Sequence, residues 1–102
     1  MVASKDDITL LLKLNKSQIQ QFGAKSIGLF GSFMTNNQND SSDIDLLVEF
    51  DKDKKNFDNF INLALFLEDL FGRKVELITT ESISKYLKPS ILNQVEYVNF
   101  TL

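Results

Sequence analysis

Ser42-Asp43-Ile44-Asp45-Leu46-Leu47-Val48-Glu49-Phe50 is the stretch that decides the fold. Ile44, Leu46, Val48 and Phe50 alternate with Asp43, Asp45, Leu47 and Glu49, which reads as a strand with an acidic end. Asp43 and Asp45 stand two apart, so both carboxylates leave one face about 6.7 Å apart along the backbone. Carboxylates so placed repel each other and need a cation beside them to stay ionised together.

Upstream, Ser26 to Phe30 is short, apolar and followed by glycine, as a buried strand would be. Gly31-Ser32 comes directly after it, twelve positions before Asp43. A glycine lets phosphate approach the backbone, and a serine hydroxyl can donate to anionic oxygen. Neither the P-loop nor the dinucleotide fingerprint is present. Thr35 to Ser42 is the most polar stretch in the chain and reads as a surface loop. Further upstream, Ser4-Lys5-Asp6-Asp7 is a capping sequence that starts a helix near Lys5, with a break near Asn15 and a stop at Gly23.

Downstream, Asp51 to Asn56 is a charged turn; it begins like a calcium loop but lacks the required glycine and closing glutamate. From Phe57 the spacing turns helical, with Phe57, Phe60, Ile61, Ala64, Leu67 and Phe71 in one stripe and Gly72 as the stop. Leu63, Phe66 and Leu70 form a second row. That surplus predicts either an internal layer with the N-terminal helix or contact with a partner or a second copy of the chain. Lys74 to Thr79 reads as a strand in which Glu76 projects opposite Val75 and Leu77; Thr80 reads as a cap, and Pro89 starts a last helix through about Tyr97. The element order is helix, strand, strand, helix, strand, helix: an α+β domain with helices packed on a small sheet.

The chain has 102 residues, which suits a single domain over 1–102. It contains no histidine and no cysteine. Those zeros exclude a Ser-His-Asp triad, a thiolate nucleophile and a His/Cys zinc site within this chain, and leave oxygen ligands suited to magnesium. Eleven basic and 14 acidic side chains give a net charge of −3, without the basic excess of a general nucleic-acid binder. No apolar run is long enough to span a membrane, and a cytoplasmic location is expected.

Gly31-Ser32-Phe33, a spacer of nine residues, Ser42-Asp43-Ile44-Asp45-Leu46-Leu47-Val48-Glu49-Phe50, and Gly72-Arg73-Lys74-Val75-Glu76-Leu77-Ile78-Thr79 together resemble the minimal nucleotidyltransferase family. This is the small branch of the polymerase-beta-like superfamily. The resemblance implies the nucleotidyltransferase fold, a small mixed sheet with helices packed on it. It implies that Gly31, Ser32 and Ser42 bind ATP, that Asp43 and Asp45 hold two magnesium ions, and that Glu76 is the third catalytic and metal-facing carboxylate. It further implies an antitoxin that moves AMP onto a tyrosine of a HEPN-domain ribonuclease toxin. Two departures stand out: Glu76 where the family commonly has aspartate, and Met34-Thr35-Asn36 where many members carry Ala-Arg-Gly. They leave two readings, an active transferase and a weak or inactive antitoxin that neutralises its partner by binding.

Overall fold

The structure, a computed structural model, describes residues 2–83 and 88–99. Helices α1 (Lys5–Leu14) and α2 (Lys16–Gln21) lead into β1 (Ala24–Phe30), followed by a single helical turn, α3 (Ser32–Thr35). Strand β2 (Ile44–Phe50) is joined through α4 (Phe57–Phe71) to β3 (Val75–Thr79). Helix α5 (Lys88–Gln94) and strand β4 (Glu96–Asn99) complete the order. The strands form one mixed sheet in the order β3-β2-β1-β4, so β3 and β4 are its edges.

Capping sets the helix ends. The Ser4 side chain accepts from the Asp7 backbone N–H, and Asn56 caps α4 by accepting from Asn59 at 2.8 Å. Gly72 ends α4 in the left-handed region at φ 66°, where a side chain would be strained. β2 and β3 run parallel, a pairing that requires a crossover, and α4 supplies it. β1 pairs antiparallel with both β2 and β4.

The core lies between one face of the sheet and the helices: Ile27, Leu29, Ile44, Leu46 and Val48 from the central strands meet Ile8, Leu12, Leu63, Leu67 and Phe71. This corrects the expected face of α4. Leu63 is fully buried, and Phe66 and Leu70 pack against the core, with the Phe66 ring 5.5 Å from Phe22. The second row therefore belongs to the internal layer built with the N-terminal helices. Phe57 is 75% exposed, and Ile61 and Leu65 lie beside it on the surface. Apolar residues occupy so much of this helix's circumference that spacing alone does not fix its rotation.

Two further expectations change. The segment after Pro89 does not stay helical to Tyr97, because the chain leaves α5 at Gln94 and adds β4 to the sheet. Thr80 opens a short 3-10 turn whose cap position is Thr79, so Thr80 is not the cap. The second face of the sheet is also less polar than alternation suggests: Leu47 is completely buried, and Val95 and Tyr97 crowd Gly28 beside it.

Replacing Leu63 with alanine is expected to cost about 2–5 kcal/mol in denaturant unfolding. Phe57→Ser is expected to stay within about 0.5 kcal/mol of the parent. Equal costs at the two positions would contradict this orientation of α4.

Candidate active site

The parallel register pairs Asp45 with Glu76 and Ile44 with Val75. Paired residues on adjacent strands share a face, so Asp45 and Glu76 stand together on the side away from the core. Asp43 lies just ahead of β2, two residues from Asp45, on the chain that enters the sheet. The ladder begins there with the Ile44 N–H donating to the Lys74 carbonyl at 3.0 Å.

Like charges set the electrostatics. Asp45 is half-buried, and burial, repulsion from Glu76, a hydrogen bond shared with Glu76 and the charge of Asp43 push its carboxyl up from 3.8 to about 6. Protonation of Asp45 relieves that repulsion in the absence of a cation. Among the described residues no three acidic side chains stand close enough to hold a metal ion jointly as they are. The donor set nevertheless fits a hard cation. It is all oxygen, it is crowded enough to hold the Asp45 proton up to about pH 6, and a divalent ion would relieve the same crowding.

Gly31 closes the other side. Its backbone sits at φ 77°, ψ −152°, a region open almost only to glycine. A Cβ there would collide with the Asp45 carboxylate. Glycine is thus required twice over, for its dihedrals and for the approach of Asp45. Ser32 follows as the first residue of α3, half-buried and next to Phe33 in the core. Ser42 sits in a turn where its Oγ accepts from the Asn39 N–H at 2.9 Å, while its own hydroxyl proton can still be donated.

Part of the Met34-Thr35-Asn36 departure acquires a physical reason. Asn36 ends α3 at φ 61°, the conformation for which glycine is the usual choice and asparagine the next best. Thr35 Oγ1 turns back onto the carbonyls of Gly31 and Ser32, each at 3.4 Å, at the position where many relatives carry arginine. Sequence reasoning also passed over Arg73. Its guanidinium Nη1 donates to the carbonyls of Asn39, Asp40 and Ser42, at 3.1, 3.2 and 3.2 Å. Its place between a helix-stopping glycine and a strand was the available signal.

Comparison with known proteins bears directly on this constellation. Residues 7–99 match the family described as polymerase beta, nucleotidyltransferase. The chain belongs to that family. It is a nucleotidyltransferase. A Methanocaldococcus jannaschii protein, provisionally named a protein adenylyltransferase, is 41% identical over 91 residues, covering 87% of this chain and 91% of that one. The protein adenylyltransferase MntA of Thermococcus cleftensis is 32% identical over 94 residues, covering 91% and 94%. A crystal structure of a toxin-antitoxin with AMP-PNP superposes with a TM-score of 0.65 at 26% identity, covering 81% of this chain and 69% of that one.

Two outcomes test the nucleotidyltransferase site. Gly31→Ala is expected to lower stability by about 1–3 kcal/mol, because both the backbone and Asp45 must shift. The second follows from the sign of the Asp45 shift. With a folded-state pKa above the unfolded one, stability falls as pH rises from 3.8 to about 6, and the full penalty remains above that. Metal-free Asp45→Asn is therefore expected to melt on the order of 5 °C above the parent near neutral pH, with the gap closing in acid. A lower melting temperature for the variant near neutral pH would refute the crowding.

Proposed function

We infer that this chain transfers AMP from ATP to a hydroxyl of a partner protein, a tyrosine of a HEPN-type ribonuclease toxin, and thereby acts as its antitoxin. The observation that carries the reading is the register pairing of Asp45 with Glu76, with the Asp45 carboxylate close against the side-chain-free Gly31. The names of the two archaeal relatives and of the toxin-antitoxin neighbour support the class of reaction and partner.

Each residue has a role derived from its place. Gly31 presents backbone without a side chain, which admits the triphosphate close to Asp45, and Ser32 offers a hydroxyl to the same oxygens. Ser42 contributes a second hydroxyl from the turn ahead of β2. Asp43 and Asp45 would hold magnesium, with Glu76 alongside, and the ions would neutralise charge on the attacked phosphate and on the departing pyrophosphate. Glu76 is exposed, shares its face with Asp45 and can take the proton from the attacking hydroxyl. The acceptor oxygen forms a bond to the α-phosphorus as the bond to pyrophosphate breaks, so the products are an AMP-modified hydroxyl and pyrophosphate.

A partner covering α4, whether the toxin or a second copy of the chain, would meet Phe57, Ile61 and Leu65 rather than the buried Leu63. No described helix is long and apolar enough to cross a membrane. The alternative of an antitoxin that acts by binding alone is favoured by one detail, the use of Thr35 for local hydrogen bonds where relatives have a cationic side chain.

Incubation of the chain and its toxin with magnesium and ATP labelled at the α-phosphate separates the two readings. Label is expected on the toxin, and its loss in the Asp43→Asn, Asp45→Asn double variant. Glu76→Gln is expected to slow transfer by about 10²–10⁴-fold, and Glu76→Asp to retain it. Toxin neutralised without label by the intact chain would establish the binding-only reading.

A further inference from the structure

Arg73 touches the N-terminal segment, the turn ahead of Asp43 and the ring that follows Ser32. Its Nε donates to the Val2 carbonyl at 2.9 Å, and its Nη1 to the carbonyls of Asn39, Asp40 and Ser42 at 3.1, 3.2 and 3.2 Å. Its Cζ stands 5.1 Å from the centre of the Phe33 ring, a cation-π distance. Phe33 follows Ser32, Ser42 precedes Asp43, and Arg73 itself lies three residues before Glu76. One side chain thus ties the nucleotide turn, the approach to the aspartates and the strand carrying Glu76. Phe33 is buried and cannot shift aside to absorb a displacement.

The loop it holds carries little apolar weight. Residues 35–42 are polar, and 35–37 and 39–41 are exposed. Their internal bonds close only a small turn, with the Ser42 N–H donating to the Asn39 carbonyl at 3.0 Å and the Ser41 N–H to Asn39 Oδ1 at 2.8 Å. The preceding residues are tied back, Gln38 Nε2 donating to the Ala3 carbonyl at 3.1 Å and the Asn37 N–H to the Ser32 carbonyl at 2.9 Å, while the 39–42 turn itself is held to the domain by the guanidinium. A planar fork with five donors in fixed directions can serve several carbonyls while lying on a ring; a lysine ammonium has neither the shape nor the reach.

We propose that Arg73 is a positioning residue that sets Asp43 against Gly31-Ser32 by clamping the 39–42 turn to Phe33. The proposal rests on the nucleotidyltransferase reading of those residues. Misplacement by about 1 Å can cost a hundredfold in rate, so a loosened turn should act on catalysis more than on nucleotide binding.

The test compares the full chain with Arg73→Lys in three measurements: Mn²⁺ binding to the protein alone, backbone amide exchange at Asn39 and Ser42, and transfer kinetics with the toxin. The expected result is a folded variant whose Asn39 and Ser42 amides exchange faster and whose Mn²⁺ affinity falls about tenfold, with kcat down at least tenfold and KM for ATP changed less than about threefold. A folded Arg73→Lys with parental Mn²⁺ affinity and kcat overturns the proposal and leaves Arg73 as a staple of the fold. If that variant does not fold, Phe33→Leu decides, since it removes the ring but keeps apolar bulk. Weaker Mn²⁺ binding and faster Ser42 exchange support the clamp, and parental values overturn it. A parent chain that binds Mn²⁺ but labels no toxin defeats the functional reading instead, and the metal and exchange measurements still judge the clamp.

Discussion

The parallel register between β2 and β3 is the constraint on which the rest of the structure depends. Sliding β3 by one residue would turn Glu76 into the core and Val75 and Leu77 to water, so the apolar pattern and the acidic site enforce the same alignment. The crossover has to suit that register. Fifteen helical residues in α4 span about 22 Å and seven strand residues in β2 about 23 Å, so the helix returns the chain to the end of the sheet where it began. Leu63, Leu67 and Phe71 then fasten the helix across the strands it has bridged.

At the end where β2 and β3 begin, the domain gives up stability. Half-buried Asp45 faces Glu76 and Asp43, and Gly31 holds a backbone conformation that other residues resist. A backbone that only glycine adopts freely and like-charge crowding at the same point are what a site for a charged ligand looks like before the ligand arrives. The cost is tolerable because the neighbouring core is dense: Ile27, Ile44, Leu46 and Phe71 are completely or almost completely buried.

Much of this was legible in the sequence, for identifiable reasons. Strict alternation from Ile44 to Phe50 shows a strand, Asn56 and Gly72 bracket a helix, and D-x-D after Gly-Ser marks the site. What escaped lay in long-range geometry. The rotation of α4 depended on Phe22 and the N-terminal helices, which compete for its many apolar side chains. β4 is short and exists because β1 has an edge to offer, a pairing that local propensity does not encode. The hydrogen bonds of Arg73 span 31 to 71 residues, and its place between a helix-stopping glycine and a strand marks the position without naming those partners.

The edge position of β3 gives Glu76 a second consequence, for solubility. An edge strand offers unpaired backbone groups to any other extended chain, and folded proteins deter such pairing with short edges and outward charge. β3 has five residues, and its fully exposed position is a glutamate two residues from the exposed Lys74. The carboxylate proposed to serve the chemistry also guards the sheet against extension by a neighbour. An apolar residue there would leave the shortness of the strand and Lys74 as the safeguards on that margin of the molecule.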